Sequence, residues 1–169
     1  MELMQQKFDV KMLKIAFESA QESKAEKRQV GAIVVDMATL LPISYGHNKM
    51  YHELREKNCE NEFGETYECV LHGEEVAIFN MIKLPNYSKE ISKHQKTLYC
   101  TYSPCMNCCK LIVNAGIKRL VYCDEHKSNF VTSEIINGYS PKDFLEEMGV
   151  SITRINKATV FGNTHKFRK

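Results

Sequence analysis

The sequence predicts an α/β fold built on one mixed sheet, and three patterns carry that prediction. Val30-Gly31-Ala32-Ile33-Val34-Val35 and Leu41-Pro42-Ile43-Ser44-Tyr45-Gly46 are short runs separated by a turn near 36–40, the pattern of an antiparallel pair. Thr97 to Tyr102, a helical stretch ending at Ala115, and Lys118 to Cys123 form a strand, helix, strand unit, which implies parallel strands joined by a right-handed crossover. Phe8, Met12, Ile15, Ala16, Ser19 and Ala20 recur at helical spacing within residues 8–24, so an amphipathic helix precedes the sheet. A chain of 169 residues is the size of one domain, and a single core over 1–169 is expected.

The remaining elements follow in order. Pro42 needs an edge strand or a strand start, because proline cannot donate to a ladder. The charged run Glu22 to Arg28 reads as a solvated turn, and residues 47–71, with little periodicity, read as an insertion that could act as a lid. His72 opens a second helix through Glu75, Val76, Ala77, Ile78 and Met81, and a polar linker from Pro85 to Lys96 leads to the Thr97 strand. The next helix is expected to begin at Pro104 with Ser103 as its cap and to stop at Gly116. A loop over 124–137, a helix from Pro141 to Met148 and a strand from Val150 to Ile155 follow, and the polar, basic residues 156–169 predict no element.

Composition excludes several classes. With 43% hydrophobic residues and no stretch near the ~20 apolar residues of a membrane span, a soluble, cytoplasmic protein without a membrane partner is expected. No basic-then-apolar signal pattern opens the chain. Seven cysteines, an odd number, suit reduced thiols and metal ligation better than a disulfide framework. Cys100, Cys109 and Cys123 sit among apolar residues and read as small buried hydrophobes. A net charge of +2 demands no polyanionic partner, and Glu53, Glu56, Glu60, Glu62, Glu65 and Glu68 form an acidic segment that would repel a nucleic-acid polymer.

The chemistry concentrates in His72-Gly73-Glu74 and Pro104-Cys105-Met106-Asn107-Cys108. Cysteines three apart on a helix present both sulfurs on one face, a turn apart. Thiols at a helix N-terminus have lowered pKa values, and the thiolate is the form that binds metal. One imidazole and two thiolates fill three positions of a tetrahedral zinc ion and leave the fourth for water, as catalytic sites do. Zinc brings the pKa of that water to about 7, and Glu74, close to it without being a ligand, is the expected general acid and base.

A His-x-Glu triplet followed by Pro-Cys-x-x-Cys matches the zinc-dependent nucleobase deaminases. On those motifs, with Val30-Gly31-Ala32, Gly46-His47-Asn48, Ala77-Ile78 and Ala115-Gly116-Ile117, the chain resembles the cytidine deaminase superfamily over about residues 8–155, most closely its deoxycytidylate deaminase branch. The resemblance implies a three-layer α/β/α sandwich around a five-stranded mixed sheet, zinc on His72, Cys105 and Cys108, and Glu74 as the catalytic proton shuttle. It implies hydrolysis of dCMP to dUMP and ammonia by a zinc-activated water, in the supply of dTTP precursors. By the same resemblance Asn48 contacts sugar and base, the Ser103 carbonyl accepts from the base amino group, and the Cys105 N–H approaches the ring. A homo-oligomer, a hexamer, with dCTP and dTTP as effectors is also implied. The chain departs from the branch at Gly73, where alanine is usual, at Val76, where asparagine is usual, and at Gly46-His47-Asn48-Lys49, where Gly-Tyr-Asn-Gly is usual. Ala25 and Glu26 stand where some phage relatives place cysteines for a second zinc, so no second ion is expected.

Other readings compete. The substrate could be cytidine, a modified cytosine nucleotide or a tRNA adenosine. Cys105 and Cys108 could be a redox pair, or with Cys59 and Cys69 a closed four-thiolate zinc module, and His47 and His52 with Cys59 and Cys69 could form a second zinc site. For a substrate phosphate the cationic candidates are Lys49, Arg55, Lys127 and Arg154.

Overall fold

The computed structural model describes residues 2–51, 58–125, 130 and 138–162. Its elements in chain order are α1 (Glu2–Ala20), β1 (Gly31–Asp36), β2 (Leu41–His47), α2 (Gly73–Ile82), β3 (Lys96–Tyr102), α3 (Met106–Asn114), β4 (Arg119–Asp124), α4 (Pro141–Glu147), β5 (Ser151–Arg154) and α5 (Lys157–Phe161). The five strands form one sheet in the order β2-β1-β3-β4-β5. β1 runs antiparallel to both β2 and β3, whereas β3, β4 and β5 are parallel, so the sheet is mixed as expected.

Helices cover both faces. α1 and α5 bury Met12, Leu13, Ala16 and Val160 against Ile33, Val35, Tyr99 and Val121, and the opposite sheet face packs Ala32, Val34, Leu98 and Leu120 against Ala77, Ile78, Met81, Ile112 and Leu145 of α2, α3 and α4. Alternate residues of one strand thus enter different cores, the period-2 geometry of a sheet covered on both sides. This is the three-layer α/β/α architecture.

Two glycines set how closely the helices approach. A Cβ at Gly31 would lie 2.0 Å from the Ala16 carbonyl oxygen, so α1 rests directly on the β1 backbone. At Gly46 it would lie 2.3 Å from both the Ala77 nitrogen and the Gly73 oxygen, so α2 lies equally close over β2. Pro42 sits on edge strand β2 beside a register shift between Val34 and Val35, where no ladder bond is asked of it.

Several boundaries differ from expectation, each for a local reason. α1 starts at Glu2, six residues before Phe8, because its first turns are exposed and carry no apolar stripe, and it ends at Ala20 rather than at 24. Within the polar linker a single turn at Ile91–Lys93 buries Ile91. α5 was not expected at all. It is five residues long, too short for a periodic pattern, and Asn156 caps it by accepting from the Thr159 N–H at 2.9 Å. On the opposite face of the sheet, Ser140 caps α4 by accepting from the Asp143 N–H at 3.0 Å.

Candidate active site

Two helices begin at the same place. His72 is the N-cap residue of α2, with φ −76° and ψ 152°, and Cys105 is the N-cap residue of α3, with φ −74° and ψ 169°. The cap of α3 is therefore Cys105, not Ser103, and the helix opens at Met106 rather than at Pro104. The Ser103 N–H donates to the Asp124 carbonyl at 2.8 Å, which extends the pairing with β4 beyond Tyr102, and a residue before proline is held away from helical angles. The correction leaves the ligand spacing intact, since Cys108 still lies one turn into α3. At α2 the Glu75 carboxylate accepts from the His72 N–H at 3.2 Å, securing the start of that helix.

The three donors converge. His72 Nδ1 is 3.5 Å from Cys105 Sγ and 3.4 Å from Cys108 Sγ, and all three atoms lie within 4.8 Å of one another. Zinc at about 2.3 Å from sulfur and 2.0–2.1 Å from nitrogen, with tetrahedral angles, requires nitrogen–sulfur edges of about 3.5 Å. The donor set fits that ion. Cys108 is buried while His72 and Cys105 are exposed, so the triangle is open on its cleft side, as a site with a free coordination position must be. Among the described residues it is the one cluster of three ligating groups. Cys59 is buried elsewhere, against Ala25, Met50 and Val70, which removes the four-thiolate arrangement, and His52 of the alternative second site lies outside the described residues.

Electrostatics at the triangle favour a shared negative charge. Cys105 is held well below the usual thiol range by hydrogen bonds from Cys108 and His72, and Cys108 is pushed up by its hydrogen bond to Cys105 and by burial. The hydrogen bond to Cys105 lifts the His72 imidazole to about 9 against the opposing effect of burial. Glu74, 4% exposed, is raised to about 7, because burial outweighs the lowering by its own N–H and by His72. A carboxyl poised near neutrality beside a metal-binding triangle can both take and return a proton. Cys100, Cys109 and Cys123 are fully buried, with thiols pushed up chiefly by desolvation, in keeping with packing rather than reactivity.

A cleft of about 490 Å³ opens over the triangle, and His72, Glu74, Asn48, Ser103 and Cys105 all line it. Five of the candidate residues thus share one cavity, with Cys108 buried behind it in the donor triangle. The Asn48 amide is held on both sides: it donates to the Arg28 carbonyl at 2.9 Å and accepts from the Val30 N–H at 2.8 Å. A Cβ at Gly73 would lie 3.0 Å from the Val30 oxygen, so the absence of a side chain there lets the 28–30 segment close in.

Sequence reasoning missed Lys27 and Arg28, which line the same cleft although their run read as a solvated turn. Nothing local marks them, because the cleft is assembled from residues distant in the chain. Of the four cationic candidates, Arg154 is paired with Glu125 at 2.9 Å, Lys49 lines a second, smaller cleft, and Arg55 and Lys127 lie outside the described residues.

A mixed five-stranded sheet that brings a His-x-Glu helix and a Cys-x-x-Cys helix to one cleft defines a nucleobase-type deaminase fold. The chain belongs to the cytidine and deoxycytidylate deaminase family: the model of that family's zinc-binding region matches residues 6–124. Human deoxycytidylate deaminase is 30% identical over 127 residues, covering 70% of this chain and 67% of that protein. Among solved structures, the dCMP deaminase of cyanophage S-TIM5 in complex with dCMP and dUMP is 32% identical with a TM-score of 0.69, over 85% of this chain and 93% of that one. A diaminohydroxyphosphoribosylaminopyrimidine deaminase/reductase from Thermotoga maritima, 20% identical with a TM-score of 0.60 over 89% of this chain and 37% of that one, shares the fold.

Proposed function

We propose that this protein hydrolyses dCMP to dUMP and ammonia. The observation that carries the reading is the buried Glu74 beside an open His72, Cys105 and Cys108 triangle. The similarity to enzymes named for dCMP supports the choice of substrate. Zinc on the triangle would supply a water whose pKa is lowered to about 7.

The chain's own residues do the rest. Water oxygen bonds to C4 of the cytosine, the C4–N4 bond breaks, and the amine leaves as ammonia. Glu74 takes a proton from the water and passes it to N3, then takes the remaining proton of the C4 hydroxyl as the carbonyl forms and gives it to the departing nitrogen. Its burial keeps bulk water from competing for that proton. Asn48, oriented by Arg28 and Val30, meets sugar and base, while the Ser103 carbonyl accepts from the base amino group and the Cys105 N–H approaches the ring. Chain 1–169 acts as one deaminase domain, and Asn48, Glu60, Thr66 and Val70 of its 47–71 insertion line the cleft. The enzyme works in the cytoplasm, in pyrimidine deoxynucleotide supply, as a homo-oligomer, a hexamer, with dCTP and dTTP as effectors.

Ammonia release by the zinc-loaded protein from dCMP, dCTP, deoxycytidine and cytidine tests the substrate. Fastest turnover per unit concentration with dCMP is expected. A preference for cytidine, or no release from any of the four, contradicts the proposal.

A further inference from the structure

We infer that Lys157, the first residue of α5, is a positioning residue for the active site: it clamps Tyr102 and Asp124, and through them the turn that carries Ser103 and Cys105. This rests on the dCMP reading of the same site. Tyr102 and Asp124 face each other as the last register pair between β3 and β4. Immediately beyond them the Ser103 N–H donates to the Asp124 carbonyl at 2.8 Å, and Cys105 caps α3. Lys157 reaches both members of that pair. Its ammonium donates to Asp124 Oδ2 at 2.7 Å and lies 5.6 Å from the centroid of the Tyr102 ring.

The clamp is supported on each side. The Ile155 N–H donates to the Tyr122 carbonyl at 2.9 Å and Asn156 caps α5, so the chain enters that helix already fastened to the end of β4. On α1, the Phe17 ring lies 5.6 Å from the same ammonium and packs edge-on against Phe161 of α5, with centroids 5.0 Å apart. Burial lowers the Lys157 pKa, but the bond to Asp124 and the surrounding charges outweigh it and hold the value above the ordinary one, so the cation persists at neutral pH. Tyr102 in turn lines the catalytic cleft with Ser103, Pro104 and Cys105. Lys157 touches no reacting atom. It acts through the Tyr102 and Asp124 pair on the wall that meets the nucleotide, whereas Glu74 is carried by α2.

Lys157 and Asp124 side chains are 33% and 29% exposed, so their pair is of modest strength. In zinc-loaded Lys157→Met, KM for dCMP rises about 3- to 10-fold while kcat stays within about twofold and bound zinc is unchanged. Hydrogen exchange at the Ser103 amide, which needs no substrate, speeds up by a similar factor, and exchange at Tyr99 in the middle of β3 does not. Lys157→Arg, which keeps charge and reach, restores both. Asp124→Ala reproduces the loss, and adding Lys157→Met to it takes away nothing more, because both remove one interaction. Lys142→Met, which breaks an exposed pair on α4, changes neither readout. Wild-type KM and wild-type Ser103 exchange in Lys157→Met overturn the inference, as does a defect that Lys157→Arg leaves unrelieved. A wild-type protein inert toward dCMP, whose Ser103 exchange still responds to Lys157→Met, contradicts the dCMP reading and leaves the clamp standing.

Discussion

Glu74 sits in the wrong place for a carboxylate. Burial alone would leave it protonated, and the His72 charge nearby draws it back, so it sits near neutrality at about 7. The donors divide their tasks by exposure, Cys108 buried and the other two facing the cleft. His72→Ala should therefore remove an apex of the triangle and reduce bound zinc well below one per chain, measured by elemental analysis. Cys59→Ser, in a separate apolar cluster, should leave zinc content unchanged. These residues were legible in the sequence because chemistry restricts both their type and their spacing. Lys27 and Arg28 were not, since a lysine or arginine is an ordinary surface residue until the fold shows what lies opposite.

The elements explain why the three donor side chains meet. β3 ends at Tyr102, Ser103 continues its pairing with β4, and Cys105 caps α3 just past Pro104. α2 reaches the same point because Gly46 lets it lie against β2. Strands and long helices were readable from period and β-branching, and the cap of α3 was not, because Ser103 and Cys105 both flank the proline and only the pairing with β4 decides between them. Gly31→Val would place side-chain atoms against the α1 backbone, forcing that helix off the sheet. We expect a loss of about 1–3 kcal/mol, the usual cost of overpacking, in urea denaturation. An unchanged midpoint would show that α1 does not rest on β1 as described.

At the scale of the molecule, a polar cluster centred on Asp9 helps fasten the α1 layer to the sheet. Arg119 of β4 donates to both oxygens of Asp9 at 2.8 and 2.7 Å, and Tyr99 Oη and Gln5 Nε2 donate to Asp9 Oδ1 at 2.7 and 2.9 Å. Burial pushes the Asp9 carboxyl up, but the bonds from Arg119, Tyr99 and Gln5 together outweigh it and hold it below the usual range. A depressed folded-state value means that this stabilisation is present above the unfolded value of about 3.9 and is lost as pH falls through the folded one. Asp9→Asn should cost about 3 kcal/mol at pH 7, leaving Arg119 without its partner, and should flatten the fall in stability below about pH 4. The sheet order and this contact between residues 9 and 119 are long-range facts that local pattern does not contain. The central claim, that Glu74 moves protons for a hydrolysis at the His72, Cys105 and Cys108 triangle, is tested most directly by ammonia release from dCMP with Glu74→Gln at matched zinc content. A fall of at least about 10²-fold with one zinc retained per chain is predicted. Turnover at the wild-type rate would contradict it.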